Sequence, residues 1–196
     1  VGGKKAIDYF VDDNKISDQM VLADMKLAGT IPTDVVLFNI DSKSEVNGKQ
    51  SKVAIVSVLQ NVFNEMQGFS GSNPFLADLE RKLTEEGKYN LFKEKFEDSF
   101  GSAWEDVVEV LDGIGFMSVE AGRNWCEKAT GEYAYKVEDF ARLVKKYLDK
   151  KESNHHIVFL IDEIGQYIGD DSKLMLNLQT VTEDLGTACG GKAWII

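Results

Sequence analysis

Five apolar residues, Ile157-Val158-Phe159-Leu160-Ile161, run directly into two acids, Asp162-Glu163, and this junction constrains the fold more than any other part of the chain. A run of β-branched and large apolar residues of that length reads as a strand buried on both faces, the kind found inside parallel sheets. Parallel strands need crossover connections, which helices usually supply. Helical spacing follows the acids, with Leu174, Leu178, Val181 and Leu185 on one face, and Ala193-Trp194-Ile195-Ile196 then reads as a further strand. Upstream, Val35-Val36-Leu37-Phe38-Asn39-Ile40 reads as another strand ending at Asp41. Ile55, Val58, Leu59, Val62, Phe63 and Met66 mark an amphipathic helix after it. The expectation is an α/β fold with a short parallel sheet flanked by helices, its strands over 35–40, 157–161 and 193–196.

The stretch between Gln67 and Lys136 is long for a simple crossover. It opens with a glycine-rich turn, Gly68 to Pro74, that runs into a helix near the proline. Leu76, Leu79 and Leu83, then Leu91, Phe92, Phe96 and Phe100, have helical spacing interrupted at Gly87, and Val107, Val108 and Leu111 mark another short helix. Gly113, Gly115, Gly122 and Gly131 are expected to break the chain repeatedly, with Trp104 and Trp125 as packing anchors. Residues 67–136 therefore read as a helical insertion, between core segments 1–66 and 137–196. It is either a small subdomain packed on the sheet or a regulatory, partner-docking element. The core resumes in a helix over 137–150, with Phe140, Leu143, Val144, Tyr147 and Leu148 inward. The lysines near its end complement the helix dipole and need no nucleic-acid explanation. The first thirty residues read as helical.

Carboxylates at the carboxyl end of a central parallel strand sit where open α/β sheets bind ligands. In a nucleotide hydrolase of the P-loop class the strand-end acid helps hold Mg²⁺, a hard cation that prefers oxygen ligands. On this reading Asp162 is the metal-side and nucleotide-side acid, and Glu163 positions or polarises the water that attacks the γ-phosphate. The rival reading is a buried strand that merely exits into a polar loop. A phosphate-binding loop of the form G-x-x-x-x-G-K-[ST] is missing from the sequence; Gly2-Gly3-Lys4-Lys5 and Gly48-Lys49-Gln50-Ser51 are incomplete versions of it. Val1 and the apolar Trp194-Ile195-Ile196 end make the chain read as an excerpt of a longer protein, inactive alone and with its phosphate loop upstream. A second constellation, Asp41 with Asp162 and Glu163, resembles the acids of two-metal nucleases. Adjacent His155 and His156 point to opposite faces of a strand and read as its polar lead-in rather than as metal ligands.

Three blocks carry a family resemblance: Ile31-Pro32-Thr33-Asp34-Val35-Val36-Leu37-Phe38-Asn39-Ile40-Asp41-Ser42-Lys43, the segment His156 to Asp170 with Gly165-Gln166-Tyr167-Ile168-Gly169 after the acids, and Leu176 to Gly186. Together they resemble the large P-loop ATPases of BREX (bacteriophage exclusion) defence systems. The resemblance implies an AAA+-like ATPase core, with Asp162-Glu163 as the Walker B acids, ATP and Mg²⁺ as cofactors, and the acid-bearing strand between the other two. It also implies partners among other phage-defence components and a homo-oligomer of the full-length protein. The alternative is a non-catalytic interaction module of a defence complex.

Charge bears on partners. Twenty-two Lys and Arg against 33 Asp and Glu give a net charge of −11, which repels phosphate backbones, so no direct nucleic-acid binding is expected of this segment. The acidity also weighs against the nuclease reading of Asp41. No stretch approaches the roughly twenty apolar residues of a membrane span. Two cysteines far apart, Cys126 and Cys189, fit a reducing cytoplasm, with Cys189 expected as a buried thiol.

Overall fold

The computed structural model describes residues 6–12, 15–44, 53–71, 73–98, 104–131 and 133–196. Both incomplete phosphate-loop candidates, at 2–5 and 48–51, lie outside these residues, as do Phe100 and the Trp104 side chain. The core elements are α1 (Ala6–Asp12), α2 (Gln19–Ala28), β1 (Thr33–Asn39), α3 (Ile40–Ser44) and α4 (Ile55–Met66). Four helices follow, α5 (Pro74–Glu85), α6 (Tyr89–Asp98), α7 (Trp104–Gly113) and α8 (Val119–Ala129). The chain then runs through α9 (Val137–Leu148), β2 (His156–Asp162), α10 (Ile164–Ile168), α11 (Ser172–Ala188) and β3 (Ala193–Ile195).

The sheet is parallel, in the order β1-β2-β3, so the strand that carries the acids is central. Alternation along β1 and β2 sends Val36, Phe38, Ile157, Phe159 and Ile161 to one face, where they are buried. Helices α4, α9 and α11 cover that face. Phe63 of α4, Phe140 of α9 and Phe159 of β2 form a triangle of rings with centroids 6.0 to 6.2 Å apart. Helix α9 contributes Phe140, Ala141, Val144 and Leu148, the stripe its periodicity calls for.

The opposite face departs from expectation. Val35, Leu37, Trp194 and Ile196 are exposed and Val158 and Leu160 only half-buried, so β2 is covered on one face rather than both. The described helices with substantial packing on the sheet all belong to the first face. The apolar run of β2 thus records its central position more than double coverage.

Among the described residues the segment 74–129 consists of helices α5 to α8 and the turns beside them, and it has its own cluster of Leu79, Leu83, Phe92, Val107, Val110 and Leu111, with Trp125 packed against it. Asn73 caps α5 by accepting from the Leu76 amide, and Pro74 takes the first helical position. The break at Gly87 falls between α5 and α6. Gly122, expected to interrupt the chain, instead lies buried inside α8. A Cβ there would meet Val108 Cγ1 at 3.1 Å, so glycine lets α7 and α8 approach closely. Polar links tie the segment and the stretch after it to α4: Arg81 Nη2 donates to Asn64 Oδ1 at 2.7 Å, and Gln60 Nε2 donates to the Tyr133 hydroxyl at 3.1 Å.

Candidate functional site

Strand β1 ends one residue earlier than its apolar pattern predicts. Asn39 is its last residue and lies in register with Asp162, while Ile40 already begins α3. The cause is Asn39 itself. Its Oδ1 accepts from the Ser42 amide at 3.2 Å and from Ser42 Oγ at 3.1 Å, which caps the first turn of α3 and stops the strand. That leaves Nδ2 facing the neighbouring strand, where it donates to Glu163 Oε2 at 2.8 Å. One amide therefore ends β1 and holds the Glu163 carboxylate.

Glu163 has φ 62° and ψ 17°, the left-handed region, and no other described non-glycine residue has a positive φ. Side chains there cost about 1 kcal/mol or more, and such strain collects at functional sites. The turn leads directly into α10, whose first bond is the one the Glu163 carbonyl accepts from the Tyr167 amide at 3.0 Å. Tyr167, buried, anchors α10 to the segment before α4: its hydroxyl accepts from the Val53 amide and donates to the Val53 carbonyl, both at 2.8 Å. Burial pushes the Tyr167 phenol up. A second tie comes from Asn177 of α11, whose Oδ1 accepts from the Val56 amide at 3.0 Å, a capping bond that Ala54 cannot supply to α4.

Asp162 is exposed at the carboxyl end of the central strand, and its carboxylate has no hydrogen-bond or ion-pair partner among the described residues. Its free oxygens suit a hard cation such as Mg²⁺, which one or two carboxylates hold together with waters and substrate phosphates. Asp41 does not end a strand as its position predicts. It sits in the first turn of α3, exposed, and no hydrogen bond or ion pair joins it to Asp162 or Glu163 among the described residues. Among those residues no group of three or more His, Cys, Asp or Glu side chains is placed to hold a metal. One carboxylate assisting Mg²⁺ needs no such group.

No protein-family model matches the chain, and no solved structure matches it.

His155 does lead into β2, but it is not merely polar lead-in. Its Nε2 lies 2.7 Å from Asp34 Oδ2, which also accepts from the Tyr147 hydroxyl at 2.6 Å. Burial opposes ionisation of Asp34, but hydrogen bonds from Tyr147 and His155 and the Lys151 charge outweigh it and hold the carboxyl below its ordinary value. This cluster closes the amino-terminal end of the sheet, away from Asp162. Cys189 is buried, as expected, and burial pushes its thiol up. Among the described residues no helix is long and apolar enough to cross a membrane.

Sequence reasoning missed Asn39, Asn177 and the left-handed turn at Glu163. Asn39 was legible as a strong N-cap type three residues before Ser42. Nothing local marks its reach to Glu163, 124 positions away.

Proposed function

We propose that this chain is the acid-bearing part of an ATP-hydrolysing P-loop protein of the BREX phage-resistance type. Asp162 assists Mg²⁺ and so the nucleotide, and Glu163 positions the attacking water. The observation that carries this reading is the conformation of Glu163. A glutamate sits in a strained left-handed turn at the tip of a central parallel strand, with its carboxylate held by an asparagine from the adjacent strand. A strand that merely exits into a loop has no use for that strain. The order β1-β2-β3 and the exposed Asp162 carboxylate, without a partner among the described residues, support the same reading. Bound Mg²⁺ supplies neutralising charge for the phosphates. Asn39 fixes Glu163 Oε2, and on this reading the carboxylate it holds accepts a hydrogen bond from the attacking water. Other defence components and further copies of the full-length protein are the partners this reading implies.

In the full-length protein, Glu163→Gln keeps both the shape of the turn and the Asn39 contact but removes the base. ATP binding should be retained and turnover should fall by about 10²-fold or more, the contribution typical of a positioned general base. Steady-state phosphate release and equilibrium ATP binding measure the two, and unchanged turnover would remove Glu163 from the chemistry. A second reading, a non-catalytic interaction module of a defence complex, is favoured by the uncovered apolar sheet face. It expects Glu163→Gln to leave phosphate release unaltered.

A further inference from the structure

Helix α5 of the insertion and α9 of the core diverge around a cavity of about 370 Å³, within the range of about 300–1,000 Å³ usual for small-molecule sites. It lies at the end of the sheet away from Asp162: Tyr147, one of its lining residues, donates to Asp34 near the start of β1. Phe69, Leu143 and Tyr147 give it apolar and aromatic surface, and Arg81, Lys146, Lys150 and Lys151 bring four cations to it. In a chain of net charge −11 such a gathering is local and strong.

Counter-charge is incomplete. Glu85 is the lining carboxylate, shared by Lys146 and Lys150 at 2.8 and 2.7 Å. Asp78 and Asp34 meet Arg81 and Lys151 from outside the lining, at 2.6 and 3.7 Å. Among the described residues one cation remains in excess. Arg81 is the most buried of the four cations. Its side chain is nine-tenths buried and lies over the Phe69 ring at 5.3 Å; among the described residues its Nε has no hydrogen-bond partner, nor has the neighbouring Asn64 Nδ2. The Arg81 Nη1 and Nη2 donate to Asp78 and Asn64 and its Nε is itself buried, so Arg81 brings the cavity fixed positive charge rather than a free N–H. Lys151 Nζ stands 4.8 Å from the centre of the Tyr147 ring, so cationic and aromatic surfaces alternate.

We propose that this cavity binds a small aromatic or heteroaromatic phosphate. The doubly charged head group is taken by the lysines, with Arg81 adding positive charge behind them, and the flat ring packs on Phe69 and Tyr147. A guanidinium and several ammoniums suit a head group with three acceptor oxygens. The ligand would touch both α5 and α9 and so join the helical segment to the sheet. The proposal is independent of the roles given to Asp162 and Glu163.

Phenyl phosphate is the probe, titrated into the ¹⁵N-labelled 196-residue chain and followed by amide chemical shifts, with inorganic phosphate and phenol as its two halves. Saturable shifts are expected in residues 67–69, 81–85 and 143–151, with phenyl phosphate tighter than either half. Lys146→Gln with Lys150→Gln, both half-exposed positions, should weaken binding at least tenfold. Glu85→Gln separates binding from scaffolding: if the lysines await an anion, removing the competing carboxylate tightens phenyl phosphate several-fold. A purely structural ion pair predicts no tightening. The proposal is overturned by shifts that do not saturate, by shifts outside those three segments, by equal affinity in the double lysine variant, or by unchanged or weaker binding in Glu85→Gln.

Discussion

Glu163 adopts φ 62°, a backbone conformation in which glycine sits without penalty and glutamate does not. Set against the strain is the exposed hydrogen bond from Asn39, and such bonds contribute about 1 kcal/mol or less. Glu163→Gly should therefore leave stability unchanged or raise it by up to about 1 kcal/mol, while removing the carboxylate from the site. Urea midpoints of the two chains test this, and a loss of more than about 1 kcal/mol would show that the Asn39 contact is a structural clamp rather than a functional one. The acids themselves were legible in the sequence, because carboxylates directly after a long apolar run have one natural place in a parallel sheet. Their geometry was not. Left-handed φ has no signature in a residue type that avoids it. Asp41 misled for a related reason: its apolar prefix looks like a strand through Ile40, and only the capping bond between Asn39 and Ser42 shows that the strand has already ended.

At the level of elements, α5 and α9 are locked through Glu85, which Lys146 and Lys150 both contact. Their hydrogen bonds hold the Glu85 carboxyl down to about 2, against an ordinary 4.5. A carboxyl depressed in the folded chain contributes stability that is complete above the ordinary value and disappears as pH falls toward the folded one. Between pH 7 and 5 the native chain should thus exceed Glu85→Gln in stability by less than about 1 kcal/mol, since all three side chains are substantially exposed. The gap should close between about pH 4.5 and 2. Urea midpoints across that series measure it, and a gap of constant size at all pH values would sink the ion-pair account. Helix positions were the most legible part of the chain: the stripes of α4, α9 and α11 follow from apolar spacing alone, and the break at Gly87 from a residue that favours turns. Gly122 was misread because a glycine that ends a helix and one that lets two helices touch look alike in sequence; only the 3.1 Å approach to Val108 distinguishes them.

Across the whole molecule the parallel sheet is asymmetric. Helices α4, α9 and α11 bury Val36, Phe38, Ile157, Phe159 and Ile161, while Val35, Leu37, Trp194 and Ile196 face outward. Parallel sheets are ordinarily covered on both faces, so the open side is a contiguous apolar surface of the kind that drives association. The asymmetry makes opposite predictions for substitutions on adjacent strands. Phe159→Ala removes a ring packed between Phe63 and Phe140 and should cost about 3–5 kcal/mol. Leu37→Lys, on the outward face, should change stability by no more than about 0.5 kcal/mol and reduce light scattering at high protein concentration. Helix α2 makes this a sharp test. It has no buried residue and exposes Met20, Val21 and Leu27, and it joins β1 through only Gly29 to Pro32. If α2 covers the outward face in solution, Leu37 becomes a core residue and Leu37→Lys costs several kcal/mol, with scattering unchanged. A small cost with reduced scattering instead leaves the face open.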